Sequence, residues 1–285
     1  MEKKIRDLYS EYRKGELGRR EFLKKLSLIA GSTAAASMLL PILEENEKLV
    51  PGLQTTDPDL ITEIIKYPAA TGDMRAYLAR PKKGNKFPAV IVIHENRGLV
   101  PHIQDVTRRM AKEGFLSLAP DALSPVGGTP SDVSNVGELF KKLNSEETTK
   151  NFVAAVKYLK SHPNSNGKVG CTGFCWGGAM TNQVAVNSPD LNAAVPYYGR
   201  QPSADDVAKI KAPVMAHYAE NDQGINAGIP AFEEALKKNG IEYQIFSYPG
   251  TDHAFNNDSN PSRYNEKAAK LAWQRTVGFF KEKLK

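Results

Sequence analysis

The sequence predicts an α/β fold built on a mostly parallel sheet with helices on both of its faces. Residues 87–94, FPAVIVIH, form a continuous apolar run, which is typical of a strand buried on both faces of such a sheet. From residue 61 onward, segments with strand character alternate with segments of helical spacing. Strands separated by helices need crossover connections, and these connections make neighbouring strands parallel.

The elements follow one another between Gly, Pro and polar residues. A hairpin comes first, with strands 61–68 and 74–81 around Thr71, Gly72 and Asp73. The further predicted strands are 87–94, 115–120, 169–175, 191–198, 213–219 and 242–248. The predicted helices are 104–113, 132–143, 146–161, 176–187, 228–239 and 265–284. Residues 124–130 read as a Gly/Pro loop, and residues 61–285 show no internal repeat and a single domain.

The segment before this pattern has a different character. Arg19-Arg20 and Phe22-Leu23-Lys24 precede an uncharged run at 26–43, which resembles a twin-arginine export signal. The stretch before the arginines is long, and Gly18 stands where Ser or Thr is usual. On the strength of the resemblance we expect residues 1–43 to be an export signal or an uncleaved membrane anchor and residues 44–60 to be a linker. The domain at 61–285 would then be periplasmic or otherwise exported. The alternative is an amphipathic helix on a cytoplasmic protein.

Charge and cysteine content exclude several classes of function. The net charge of +6 arises from 38 Lys and Arg against 32 Asp and Glu, without a basic block, so nucleic acid is not an expected partner. The two cysteines, Cys171 and Cys175, lack metal-binding spacing, and in one strand they lie too far apart for a disulfide. We expect neither a metal nor an organic cofactor.

Cys175 stands at a predicted strand-to-helix junction, in the sequence Gly173-Phe174-Cys175-Trp176-Gly177. A tight turn of this kind has no room for side chains two residues before and after the nucleophile. Its sulfur lies at a helix N-terminus, where free N–H groups favour a thiolate or an oxyanion. We therefore predict that Cys175 is a nucleophile, whereas Cys171 in mid-strand is core packing.

A cysteine nucleophile needs a base, and the base needs an orienting acid. His253 follows the last predicted strand and is the expected base. The acid should follow the second strand after the nucleophile, which makes Asp222 the first choice and Glu220 and Asp252 its rivals. The other four histidines are less suited: His94 ends a strand near the site, His217 is expected in the core, and His102 and His162 lie in loops.

Three motifs together resemble the dienelactone hydrolase family, the carboxymethylenebutenolidase-like branch of the α/β-hydrolases. They are HENRGL at 94–99, GFCWGG at 173–178, and Asp222 followed by His253-Ala254-Phe255. The resemblance covers about residues 60–285. It implies an α/β-hydrolase fold and hydrolysis of a small-molecule ester or lactone.

The resemblance also implies roles for individual residues. Cys175, Asp222 and His253 map onto the family's triad, and Glu95 maps onto a glutamate that holds or releases the cysteine proton. The backbone N–H groups of Asn96 and Trp176 would form the oxyanion hole.

The sequence departs from the family where the substrate is chosen. Family members bind a substrate carboxylate with arginines in the loop after the fourth strand and four residues after the catalytic histidine. Here the loop at 121–132 has no arginine, and Asn257 occupies the second position. Arg97 and Arg200 lie elsewhere and, with Tyr198, are candidate substrate-binding residues. We therefore expect an ester or lactone other than dienelactone.

Two rival functions use the same cysteine. A non-catalytic thiol sensor or binding module would need a low-pKa Cys175 but neither Asp222 nor His253. Chaperone- and amidotransferase-like proteins with a cysteine at this turn often have a histidine directly after it, where this chain has Trp176. Both comparisons favour the hydrolase.

Overall fold

A sheet of eight strands organises Pro58–Lys285, the larger of the two units into which the chain divides at Asp57. The computed structural model describes residues 5, 8, 9, 11, 12, 17–33, 36 and 57–285. The strands are β1 (Leu60–Ala69), β2 (Gly72–Pro81), β3 (Phe87–Ile93), β4 (Leu116–Pro120), β5 (Ser165–Phe174), β6 (Ala193–Tyr197), β7 (Val214–Ala219) and β8 (Tyr243–Tyr248). Their order across the sheet is β1-β2-β4-β3-β5-β6-β7-β8. The pairs β1–β2 and β2–β4 are antiparallel and the other five are parallel, which confirms the predicted fold class.

Helices cover both faces of the sheet. The smaller unit contains α1 (Arg19–Ala30), and the helices of the larger unit are α2 (Pro101–Lys112), α3 (Val136–Phe140), α4 (Ser145–Ser161), α5 (Trp176–Asn187), α6 (Ala204–Val207), α7 (Gln223–Asn226), α8 (Ile229–Lys238) and α9 (Glu266–Lys283). The side chains of β3 alternate between the two layers. Ala89 and Ile91 pack with α4, α5 and α8, whereas Val90 and Val92 pack with α2 and α9. The central strand is therefore apolar throughout because both of its faces are covered.

Several predicted boundaries are wrong for local reasons. The hairpin turns at Ala70-Thr71 rather than at 71–73, since Ala69 already pairs with Gly72. The helix predicted from 104 begins at Pro101, whose fixed φ suits a first helical position. The helix predicted at 132–143 is confined to α3, because the Asp132 carboxylate accepts a hydrogen bond from the Ser134 N–H and holds a turn there.

The predicted strand 169–175 also shifts. It begins at Ser165 and ends at Phe174, which leaves Cys175 outside the strand. The short helices α6 and α7 have too few residues for their periodicity to be detected in the sequence.

The described part of the smaller unit contains α1, which begins at Arg19. Phe22 and Leu26 are fully buried and belong to one apolar cluster with Leu8 and Tyr9. Among the helices of the described residues, none is both long enough and apolar enough to span a lipid bilayer. Most of the predicted linker and half of the apolar run at 26–43 lie outside the described residues.

Two glycines within helices should respond in opposite ways to alanine. Gly278 is exposed in α9, and a Cβ there meets nothing within 4 Å, so Gly278→Ala should raise the free energy of unfolding by about 0.5–1 kcal/mol. A Cβ on Gly177 in α5 would lie 2.4 Å from the His94 carbonyl oxygen, so Gly177→Ala should lower it by about 2 kcal/mol. Urea unfolding of the full chain measures both. Equal effects of the two substitutions would contradict the packing described for α5.

Candidate active site

Cys175 occupies a strained turn between β5 and α5. Its φ is 56°, a left-handed conformation that is uncommon for any residue other than glycine. The turn is tight enough that a Cβ on Gly173 would lie 2.2 Å from the Gly177 carbonyl oxygen. The side chain of Cys175 stays partly exposed at the N-terminus of α5. This is the geometry that presents a nucleophile at the carboxyl edge of a parallel sheet.

The first turn of α5 also packs against the end of β3. A Cβ on Gly177 would lie 2.4 Å from the His94 carbonyl oxygen and 2.5 Å from that of Ile93. The segment that follows β3, including Glu95 and Asn96, is therefore held beside Trp176 and the N-terminus of α5. The two backbone N–H groups predicted for an oxyanion hole thus belong to segments in direct contact.

Asp222 and His253 meet at the same edge of the sheet. The Asp222 Oδ2 lies 2.5 Å from the His253 Nδ1, and the two side chains are 13% and 26% exposed. Burial by itself lowers the pKa of His253. Hydrogen bonds to Cys175 and Asp222, together with their negative charges, outweigh it and raise the pKa of His253 from 6.5 to about 9. The structure therefore joins Asp222, His253 and Cys175 in one chain of contacts.

The two rival acids connect the loops on which this pair lies. Glu220 accepts a hydrogen bond from the Gly250 N–H at 2.7 Å, and Asp252 accepts one from the Asn221 side chain at 3.2 Å. A backbone bond from the Asn221 N–H to the Thr251 carbonyl adds a third link at 2.9 Å. Glu220 and Asp252 therefore hold together the loops that carry Asp222 and His253, rather than orienting the histidine themselves.

Two of the other histidines are internal structural groups. His217 is fully buried and lies within hydrogen-bond distance of Thr276 and Tyr248, as expected for a core group. His94 is also buried; its Nδ1 donates to its neighbour's carbonyl oxygen, that of Glu95, at 2.6 Å. Its Nε2 accepts from the Ala122 N–H at 3.1 Å, so both ring nitrogens are occupied.

His102 and His162 lie away from the base position. The His102 ring nitrogen is 3.1 Å from Asp258. His162 is partly exposed, and its Nδ1 accepts a hydrogen bond from the Asn164 N–H at 3.1 Å.

Glu95 is buried beside the site, with Asn257 as its partner. The Asn257 Nδ2 donates to the Glu95 Oε2 at 2.7 Å, and the Asn257 Oδ1 accepts from the N–H and hydroxyl of Ser259. The residue that replaces the expected arginine therefore binds the glutamate through a neutral amide. Sequence reasoning identified this position only as a missing cation.

The buried ring of Tyr198 packs against His253. It is 1% exposed, and its ring centroid lies 5.0 Å from that of His253. Burial raises the pKa of its hydroxyl well above 10. Tyr198 was predicted as a substrate-binding residue, but its burial makes it part of the wall that fixes His253.

A cleft of about 350 Å³ opens beside Trp176, the residue that follows Cys175. Its lining residues are Asn96, Gly137, Phe140, Leu143, Ser145, Thr148, Trp176 and Met180. Arg97 and Arg200, predicted as candidate substrate-binding residues, are both exposed and do not line it. The roles of Phe140, Leu143 and Met180 were missed, because an apolar residue at helical spacing looks the same whether it faces a core or a cleft.

Cys171 is a core residue, unlike the partly exposed Cys175. It is fully buried in β5, with Thr181 as its neighbour at 3.7 Å, and burial raises the pKa of its thiol to about 12. Within the described ranges, no group of three His, Cys, Asp or Glu side chains is arranged to hold a metal ion.

Comparison with known proteins agrees with this geometry. Residues 74–284 match the model of the dienelactone hydrolase family. The chain belongs to the dienelactone hydrolase family. A Salmonella typhi protein named "Putative carboxymethylenebutenolidase" is 33% identical over 267 residues, which are 88% of this chain and 95% of that protein. "Protein usf" from Aquifex pyrophilus is 36% identical over 219 residues, which are 74% of this chain and 94% of that protein.

Solved structures give the same result. The structure titled "Putative Dienelactone Hydrolase" from Klebsiella pneumoniae has a TM-score of 0.71 and 31% identity, and the match covers 78% of this chain and 98% of that one. A carboxyl esterase from Tuber melanosporum, with a TM-score of 0.64 and 17% identity, shares the fold over 86% of this chain and 98% of its own. This member of the dienelactone hydrolase family has the α/β-hydrolase fold and is a carboxylic ester or lactone hydrolase.

The raised pKa of His253 leads to a prediction for this dienelactone hydrolase family member. One histidine should titrate near pH 9 in an NMR titration of the ring protons, and it should move towards 6.5 in Asp222→Asn. His253→Asn should remove the signal, and His162→Asn should leave it in place. A wild-type His253 that titrates at or below 6.5 would contradict the described contacts.

The same shift fixes the sign of a stability effect. Because folding raises the pKa of His253, its contribution to stability is complete below pH 6.5 and is lost as the pH rises through about 9. The contribution of His253 to the free energy of unfolding should therefore decrease over this window, and the decrease should be smaller in Asp222→Asn.

Proposed function

We propose that the protein hydrolyses its ester or lactone through a thioester on Cys175, with His253 and Asp222 as the other members of a catalytic triad. The observation that carries this proposal is the contact chain from Asp222 through His253 to Cys175 on a strained turn. A thiol sensor on the same fold has no use for the Asp222–His253 pair.

In the first half of the reaction, the Cys175 thiolate attacks the carbonyl carbon and forms a C–S bond. The carbonyl electron pair moves onto oxygen, and the backbone N–H groups of Asn96 and Trp176 stabilise the oxyanion. The intermediate collapses, the C–O bond to the leaving group breaks, and His253 gives its proton to the departing alkoxide. Asp222 keeps the imidazole oriented and stabilises its charged form.

In the second half, water hydrolyses the thioester. His253, now neutral, takes a proton from the water as its oxygen attacks the acyl carbon. The C–S bond then breaks, the carboxylic acid leaves, and the thiolate returns beside the imidazolium. Esters and lactones suit this cycle better than amides, because an alkoxide leaves with less assistance than an amine.

Glu95 is proposed to control the proton on the Cys175 thiol. It is buried, and its Oε2 is held by the Asn257 amide. A carboxylate in this position can accept the thiol proton when a substrate displaces water from the site, and it can return that proton to the sulfur after the product has left. Its partner in this chain carries no charge, so substrate binding has no ion pair at Glu95 to break.

We also propose that residues 1–43 direct export by the twin-arginine machinery and that residues 44–60 link this segment to the hydrolase domain at 61–285. The proposal rests on Arg19-Arg20, the Phe-Leu-Lys that follows and the uncharged run after it. If the segment is not cleaved, it would keep the exported enzyme associated with the membrane.

The thioester mechanism predicts that Cys175→Ala lowers kcat for p-nitrophenyl acetate by about 10⁴-fold or more, because the nucleophile is removed. Cys171→Ala should keep wild-type activity and is the matched control. Mass spectrometry of acid-quenched wild-type enzyme should show one acyl group on Cys175.

Turnover that survives Cys175→Ala would contradict the mechanism. A wild-type enzyme whose Cys175 is readily alkylated but which cleaves no ester or lactone would favour the thiol sensor.

Export predicts that the double substitution Arg19→Lys and Arg20→Lys retains the enzyme in the cytoplasm of a bacterium with a twin-arginine system. Fractionation followed by an esterase assay measures this. Arg6→Lys and Arg13→Lys together make the same change outside the motif and are the matched control, which should be exported. A cytoplasmic location for the unaltered chain would contradict the proposal.

A further inference from the structure

We propose that the cleft lined by Asn96 and Trp176 is the acyl pocket and that this enzyme selects esters or lactones whose acyl part is uncharged and largely apolar. The inference rests on the proposed function, because it assigns a substrate class to the same site.

The position of the cleft assigns it to the acyl side of the substrate. Trp176 and Asn96 line it, and their backbone N–H groups are the proposed donors to the carbonyl oxygen. Among the described residues, Asp222, Tyr198 and Cys175 contact His253, and none of them lines the cleft. Since the leaving oxygen must face His253 to receive its proton, the group in the cleft is the acyl part.

The aromatic wall of the cleft is fixed by stacking. The Trp176 ring lies parallel to the buried His94 ring, with centroids 5.5 Å apart and planes at 12°. Phe140 meets Trp176 edge to face at 5.1 Å, and Phe152 supports it from the core at 6.2 Å. The wall that faces the substrate is therefore preformed, as apolar ligand pockets usually are.

The polar atoms of the buried wall are largely occupied within the protein. The Thr148 hydroxyl donates to the Asn144 carbonyl at 2.7 Å, so its methyl group is left for the cleft. The Thr149 hydroxyl donates to the Ser145 carbonyl oxygen at 3.0 Å and lies 3.8 Å from the Met180 sulfur. None of the eight lining residues is charged. A carboxylate in this cleft would lose its hydration without gaining a cation, which is strongly unfavourable.

The size of the cleft limits the acyl group. A volume of about 350 Å³, at about 30 Å³ for each non-hydrogen atom, accommodates about ten to twelve such atoms. An unbranched acyl chain of six to eight carbons or a benzoyl group fits this limit, and an acetyl group leaves most of the cleft empty.

The test is a series of p-nitrophenyl esters with one leaving group and different acyl groups: acetate, butyrate, hexanoate, benzoate and hemisuccinate. For the wild-type full chain, kcat/KM should rise by about fourfold for each added methylene as far as hexanoate. The hemisuccinate, which carries a carboxylate on a chain as long as that of butyrate, should react at least about tenfold more slowly than butyrate.

Two substitutions locate the selectivity in the cleft. Leu143→Arg places a cation in the lining and should raise the hemisuccinate-to-butyrate ratio of kcat/KM by about tenfold or more. Ser145→Trp partly fills the cleft and should reduce the hexanoate-to-acetate ratio. The matched controls are Leu271→Arg on exposed α9 and Ser161→Trp at the far end of α4, and both should leave the wild-type ratios unchanged.

The results with the ester series test the acyl pocket independently of the thioester mechanism. A flat dependence on acyl length, or a wild-type preference for hemisuccinate, would overturn the acyl pocket even if Cys175→Ala abolishes turnover. If Cys175→Ala retains turnover, the thioester mechanism fails, whereas the acyl ratios still report on the cleft. Circular dichroism checks the folding of each variant, and Ser145→Trp, on an exposed position, decides the result if Leu143→Arg does not fold.

Discussion

The site depends on one packing constraint: the first turn of α5 fits closely between the ends of β3 and β6. A Cβ on Gly177 would lie 2.5 Å from the Ile93 carbonyl oxygen, and a Cβ on Gly178 would lie 2.3 Å from that of Tyr197. β3 and β6 are the two sheet neighbours of β5, the strand that leads into Cys175. The left-handed backbone of Cys175 persists because these contacts leave the helix no room to retreat. The same contacts hold the segment after β3 beside the N-terminus of α5, so Cys175 and the proposed oxyanion donors are positioned together.

His217 and His253 lie at this end of the sheet, and their different partners shift their pKa values in opposite directions. His217 has hydroxyl partners, Thr276 and Tyr248, and its burial lowers its pKa to about 3. His253 has a carboxylate and a thiol as partners, and its pKa rises to about 9. The neutral His217 remains in the core, where its backbone carbonyl accepts the Tyr198 N–H at 2.7 Å. Tyr198 in turn packs on His253. Through Tyr198, the neutral His217 therefore helps to position the charged His253.

How far the sequence predicts this arrangement depends on the range of the interactions involved. The fold class follows from β3, since a run of seven apolar residues needs cover on both faces. Cys175 is found from its flanking glycines, which are local. The roles of Glu220 and Asp252 were beyond reach, because they bind partners about 30 positions away and spacing alone does not reveal which loops meet. The cleft was missed for a related reason: Phe140 and Leu143 read as ordinary helical positions until Trp176 is placed opposite them.

The replacement of arginine by Asn257 and the neutral lining of the cleft have one electrostatic consequence in common. An arginine near Glu95 would serve two acids, the glutamate and a carboxylated substrate, which would compete for it. In this chain the Asn257 amide satisfies Glu95 at 2.7 Å, whereas Arg109 pairs with Asp105 and Asp258. Glu95 therefore keeps its partner whatever the substrate carries. Such an enzyme gains no binding free energy from a charge on the acyl group. Its substrate binds mainly through apolar contact with Trp176 and the residues around it.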